Sequence, residues 1–372
     1  MIDARAERLA ALVVDYSLGL GAGDIVRVDG AEESLPLLVP FYDAAIASGA
    51  HVYAGVGVEG AIELLLREGS DAQVAYVPPV AAQEIEDLDA LFTIWSDVNT
   101  RALSGVDPAR QKLMLDARQE LSKRRTERIF SGEMRWCGTL FPTNAHAQDA
   151  GMSLRVYEEF VYGACHVLGD GDPASHWRRT ASALQARAEE LGNVAELRIL
   201  GPDTDLLVVV EGRTWVAADG RLNMPDGEVF TSPLEDRTSG EIRYTFPAVF
   251  QGREVEDVRL RFAEGRVVKA EAARGSDYLA SVLEMEGAAV LGEVAFGLNY
   301  EIDRFTQNIL FDEKIGGTMH LALGASFPMT GGVNSAPIHW DMICDLREDG
   351  EVFADGELIW KAGHFLNDPV SA

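Results

Sequence analysis

The apolar positions of the first half change period again and again. Ala6, Leu9, Ala10, Val13 and Val14 recur at helical spacing and predict an opening amphipathic helix. Gly23-Asp24 then turns into an alternating run through Ile25, Val26 and Val28, which reads as a strand. SLPLLVPFYDAAIASGA is a helix with Gly49 as its C-terminal stop, HVYAGVGV a second strand and IELLLREGS a second helix. DALFTIWSD is a third strand, PARQKLMLDARQELSKRRTERIF a long helix opened by Pro108, and MRWCGTLFPT a fourth strand before a turn. Strands alternating with helices of this length predict a parallel sheet covered by helices. The glycines near Gly19–Gly23 and Gly55–Gly60 form no G-x-G-x-x-G after a strand, so no dinucleotide is expected.

The pattern changes after a helix over His176–Leu191. ELRILG, DLLVVVEG, TWVAADG, IRYTFPAVFQG and EVEDVRLRFAEGRVVKAEA are strand-like, and Asp219-Gly220 and Glu264-Gly265 read as hairpin turns. One helix, around Asp277–Gly287, interrupts them. The predicted organisation is an α/β, doubly wound-like domain over 1–193 and an α+β domain over 194–372. The length of 372 residues fits two domains at roughly 150 residues each.

Charge narrows the partners. The chain has 32 Lys plus Arg against 60 Asp plus Glu, a formal charge of −28, which disfavours nucleic acid and anionic membrane surfaces. Cys137, Cys165 and Cys344 are far apart, and no two form a C-x-x-C pair, so neither a disulfide framework nor a zinc ribbon is expected. The acidic start (Asp3, Glu7) does not read as a secretory signal, and no run approaches a membrane span. A cytoplasmic protein is the expectation.

The candidate chemistry lies in the second half. Glu228 follows the Pro-Asp-Gly turn of MPDGEVFTSP, and Glu293 sits in the apolar run AVLGEVAFG. A carboxylate inside such a run must be paired or metal-bound if buried, because desolvating a lone charge costs several kcal/mol. His320 precedes an apolar run in GGTMHLALG, and His339 and Asp341 of SAPIHWD stand two apart, on one face of a strand. Each has an ordinary structural explanation alone. Together, two imidazoles and three carboxylates suit one or two divalent ions. In the first half, His146 beside a Pro-Thr turn is a candidate substrate contact, with Arg135 and Trp136 as weaker ones.

MPDGEVFTSP, LGEVAFG, the HLALG run and S-x-x-x-H-x-D resemble the M29 peptidases, the aminopeptidase T or thermophilic aminopeptidase family. LGLGAGDIVRVDG and FPTNAHAQDAGMS resemble that family's N-terminal domain, so the similarity spans essentially the whole chain. It implies a homodimeric metallo-aminopeptidase that releases N-terminal residues from peptides. Its two divalent ions (Zn, Co or Mn) would be held by Glu228, Glu293, His320, His339 and Asp341, with Glu228 or Glu293 moving the proton. The sequence departs from the family at Phe327, where a tyrosine is usual. A phenyl ring offers no donor to a developing oxyanion, which opens the possibility of a non-peptidase descendant. The chain also resembles the 2,5-dihydroxypyridine ring-cleaving dioxygenases, which implies an alternative: one Fe(II) held by His320, His339 and Asp341.

Overall fold

The computed structural model describes residues 3–250 and 252–367. The chain divides into two compact units, residues 1–178 with 220–225, and residues 179–219 with 226–372. The division falls inside the helix Pro173–Leu191 rather than at 193, and a short stretch of the second half returns to the first unit.

The first unit carries a five-stranded sheet. Four strands are parallel, in the order His51–Gly57, Ile25–Ala31, Ala90–Trp95, Arg135–Leu140. This is the predicted α/β arrangement, with the order reversing after the first strand as in doubly wound sheets. The fifth strand, Asn223–Met224, pairs parallel with Arg135–Leu140. Asp219-Gly220 is therefore not the hairpin the sequence suggests. The turn sends the chain to the edge of this sheet, where Thr139 Oγ1 donates to the Met224 carbonyl at 2.5 Å. The long helix starts as expected: Asp107 caps Pro108–Phe130 by accepting from the Ala109 N–H. The predicted opening apolar face is buried at Ala6, Leu9, Ala10, Val13 and Val14.

The second unit is built on two antiparallel sheets. The larger has eight strands, with Ser239–Tyr244, Thr204–Val209, Glu196–Gly201 and Glu351–Ala354 at its centre. Glu264-Gly265 makes the predicted hairpin, both residues at positive φ, between Val258–Ala263 and Arg266–Glu271. The predicted helix runs from Ser276 to Leu283. The smaller sheet runs His339–Asp345, Thr318–Gly324, Leu291–Gly297, Glu228–Thr231, Val216–Ala218.

Period two sorts this smaller sheet. Val229, Val294, Phe296, Met319, Leu321, Leu323, Trp340, Met342 and Cys344 join one core with Leu197, Ile199, Leu206, Ile242 and Trp360 of the larger sheet. Phe296 lies 5.2 Å from Trp360 and 4.9 Å from Phe365, ring to ring. Each fully buried large side chain contributes about 1.5–3 kcal/mol. That surplus fixes the register and leaves the alternate positions on the opposite face to chemistry.

Candidate metal centre

The face turned away from that core carries every predicted ligand. Glu293 is paired with Ala322 and Ala322 with Asp341, so the two carboxylates lie abreast on either side of one alanine. His320 is two residues before Ala322, His339 two before Asp341, and Glu228 is paired with Gly297. The positions between them on this face, Ala295, Gly297, Ala322 and Gly324, are small and leave the ligand side chains room to meet.

A bulge aims Glu293. Leu291 is paired with Leu323 and Glu293 with Ala322, so Gly292 is an extra residue in its strand. Leu291 therefore packs in the core, whereas an unbroken strand would put it on the same face as Glu293. A Cβ on Gly292 would stand 2.1 Å from the Ala325 carbonyl oxygen. That carbonyl accepts from Nδ1 of His339 at 2.8 Å. Gly227, at φ 123°, similarly lets the turn before Glu228 pass Asn299, whose side chain donates to the Asp226 carbonyl.

Both imidazoles are held in one tautomer. Nδ1 of His320 donates to the Glu313 carbonyl at 2.9 Å, as Nδ1 of His339 does to Ala325. Nε2 of each ring then points into the cage. His339 Nε2 is 2.9 Å from Glu293 Oε2 and 3.2 Å from Asp341 Oδ1. His320 Nε2 is 3.5 Å from Glu228 Oε2 and 3.8 Å from Glu293 Oε1. His320 is 1% exposed, whereas 28% of the His339 side chain is accessible, so the cage opens on the His339 side.

Two further groups were missed in the sequence. Glu313 and Lys314 lie in DEKIGG, which looks like a solvated charge run, yet Lys314 is fully buried. Its Nζ contacts Glu313 Oε1 and lies 3.8 Å from Glu228 Oε1 and 4.0 Å from Asp226 Oδ1. The available signal was the apolar context: Leu310, Phe311, Ile315 and the glycines Gly316-Gly317 flank these charges on both sides.

The electrostatics are those of a cation cage. Burial pushes the Glu228 carboxyl well above its usual range, only partly offset by Lys314. Burial would also raise Glu293, but His320 and His339 outweigh it and hold that carboxyl low. Asp341 is likewise pushed up by burial and brought below its usual value by His339. Burial opposes the imidazolium forms, yet the carboxylates lift His320 to about 10 and His339 to about 12.

The donor set fits divalent cations. One ligand atom each from Glu293, His339 and Asp341 lie within 4.8 Å of one another, and so do those from Glu313, His320 and Asp341. Asp341 belongs to both groups. Glu228 joins neither among the described residues and touches the cage through His320. Glu228 Oε2 and Asp341 Oδ1 are buried and make no hydrogen bond, which a cation would remedy.

Phe327 stands at the open side. Its ring centroid is 5.0 Å from that of His339 and 5.3 Å from that of Phe230. His146 belongs to the first unit, where it is buried, with Nδ1 3.1 Å from Thr143 Oγ1 and Nε2 3.5 Å from Asp97 Oδ2. Arg135 pairs with Asp24 at 2.9 Å and also donates to the Leu18 and Gly19 carbonyls; Trp136 donates to Thr93 Oγ1. Both have structural partners. Cys137, Cys165 and Cys344 are buried thiols, and among the described residues no helix is long and apolar enough to cross a membrane.

Aminopeptidase 2 of Geobacillus stearothermophilus is 28% identical over 405 aligned positions, covering 96% of this chain and 97% of that protein. Among solved structures, wild-type AmpT from Thermus thermophilus superposes with a TM-score of 0.85 at 23% identity, over 97% of this chain and 99% of that one. The 2,5-dihydroxypyridine dioxygenase from Pseudomonas putida KT2440 shares the fold more distantly, with a TM-score of 0.61 at 14% identity over 99% and 98%. The model of the thermophilic metalloprotease family M29 matches residues 2–365, and the chain belongs to that family.

Proposed function

We propose that this protein is a metal-dependent aminopeptidase whose centre holds two divalent cations, zinc, cobalt or manganese, through Glu228, Glu293, His320, His339 and Asp341. The observation that carries the two-cation reading is the sharing of Asp341 between two triads, one with Glu293 and His339, the other with Glu313 and His320. The relative named aminopeptidase supports the peptide substrate. A single iron on His320, His339 and Asp341 would leave the buried Glu293 without a cation of its own, which disfavours the dioxygenase alternative.

Cations held by these residues would supply Lewis-acid activation of water and of the scissile carbonyl. The protein's own residues do the rest. The Glu313 and Ala325 carbonyls hold both imidazoles with Nε2 inward, so the donor geometry is set before substrate arrives. Glu293 and Asp341, kept as carboxylates by the histidines, supply fixed negative charge. Glu228, raised by burial, is the carboxyl suited to take a proton from the attacking water and return it to the leaving amine. Phe327 offers no hydrogen bond to a developing oxyanion, so we expect slow turnover.

From the first unit we assign His146 to substrate. Its support is position: it follows the turn beyond the C-terminal end of the strand Arg135–Leu140, the end at which open α/β sheets bind ligands. The charge of −28 and the three buried thiols accord with a cytoplasmic enzyme, and we carry the homodimer as part of the same reading.

Elemental analysis of protein purified without chelator, paired with release of N-terminal residues from aminoacyl amides, tests the proposal. Two equivalents of zinc, cobalt or manganese and chelator-sensitive release are expected. One equivalent of iron with no amide hydrolysis overturns it.

A further inference from the structure

Lys314 has no part in the chemistry above, yet its ammonium is fully buried beside the cage. It touches Glu313 and stands 3.8 Å from Glu228 and 4.0 Å from Asp226. These ion pairs all lie on the Glu228 and Glu313 side, and Lys314 reaches Asp341, one of the carboxylates that meet His339, only at longer range. One side of the cage therefore already holds a cation of the protein's own, and the other side does not.

We propose that Lys314 makes the two metal positions unequal: the Glu293, His339, Asp341 position fills first and tightly, and the Glu313, His320, Asp341 position, the one beside Glu228 and Lys314, fills second and weakly. This inference rests on the two-cation reading. A unit positive charge a few ångströms from an incoming divalent ion, in surroundings of effective dielectric near 20, opposes binding by more than a tenfold change in affinity. The same ammonium compensates Glu228, Glu313 and Asp226 before any ion arrives, so that side of the cage folds without one. Lys314 is thus a positioning residue. It touches no substrate and acts through the carboxylates it holds.

The test is titration of chelated protein with Co(II), followed by equilibrium dialysis and by the visible absorption of the bound ion. Wild type should take two equivalents in separate steps. Lys314→Met should tighten the second step by about tenfold or more and change the first by less than about threefold. Lys314→Arg, which keeps the charge, should preserve the weak second step. Two wild-type equivalents of equal affinity, or a second step that Lys314→Met leaves unchanged or weakens, overturn the role of Lys314 while the two-cation reading stands. A single wild-type equivalent strikes that reading itself. Should Lys314→Met not fold, His320→Ala and His339→Ala decide the order of filling. Loss of the weak step in the first and of the tight step in the second supports the proposal, and the reverse overturns it.

Discussion

Glu293 and His339 meet at 2.9 Å although a whole strand, Thr318–Gly324, runs between theirs. Neighbouring strands are about 4.8 Å apart, so the two side chains bridge about twice that distance. They do so above Ala322, which is paired with Glu293 on one side and Asp341 on the other. The alanine is what leaves the space in which their donor atoms converge.

Ala322→Leu should fill that space. Metal affinity, measured by equilibrium dialysis, is expected to fall at least about tenfold and activity with it. The stability cost should stay near the ~1–3 kcal/mol usual for overpacking, because the opposite face of the sheet keeps its core contacts. A variant with unaltered metal affinity would show that the donors do not converge there.

Gly292→Ala probes the bulge. The new Cβ would push on the Ala325 carbonyl, and with it the acceptor that orients His339. Losing such an outer partner typically costs about 10–100-fold in metal affinity. We expect that loss with the far-ultraviolet circular dichroism unchanged. Full metal affinity in the folded variant would remove the Ala325 carbonyl from the account.

Phe327→Tyr should raise amide turnover. The ring lies against His339, 5.0 Å between centroids, so a phenolic hydroxyl there would add a hydrogen-bond donor beside the cage. One well-placed oxyanion donor contributes about 3 kcal/mol, and a grafted one should recover at least tenfold in kcat. No gain, with metal content preserved, would count against peptide hydrolysis as the reaction.

Stability of the chelated protein should fall as pH rises. His320 and His339 are raised to about 10 and about 12, above an unfolded value near 6.5. A raised imidazole stabilises the fold fully below the unfolded value, and that contribution is lost as pH climbs towards the folded one. Between pH 7 and 10 each proton should cost up to about 1.4 kcal/mol per pH unit. Cations displace those protons, so the metal-loaded protein should show a flatter profile, and metal affinity should rise over the same range. Parallel melting profiles with and without metal would contradict the shared use of Nε2.

The local order of elements was legible wherever one face of an element had to be buried. The opening helix, the alternating strands and helices of the first half, and the Glu264-Gly265 hairpin follow from period and turn chemistry, which depend on neighbours in the chain. The Asp219-Gly220 turn has the same local signature but a different outcome. Asn223–Met224 finds a parallel partner in Arg135–Leu140, 85 residues earlier at the paired positions, and no local pattern encodes that pairing.

The same division holds at the cage. By itself the sequence supplied Glu228, Glu293, His320, His339 and Asp341 as chemically suitable side chains, because charges and imidazoles in apolar runs need partners. Only the tertiary structure decided how they meet. The bulge at Gly292 aims Glu293, strand register sets it beside Asp341 across Ala322, and the loop before His320 buries Glu313 and Lys314 against Glu228. The physical reason is that the desolvation and mutual attraction of charged groups depend on distance through space. Residues from four separate segments acquire that proximity only once the sheet has closed over its core.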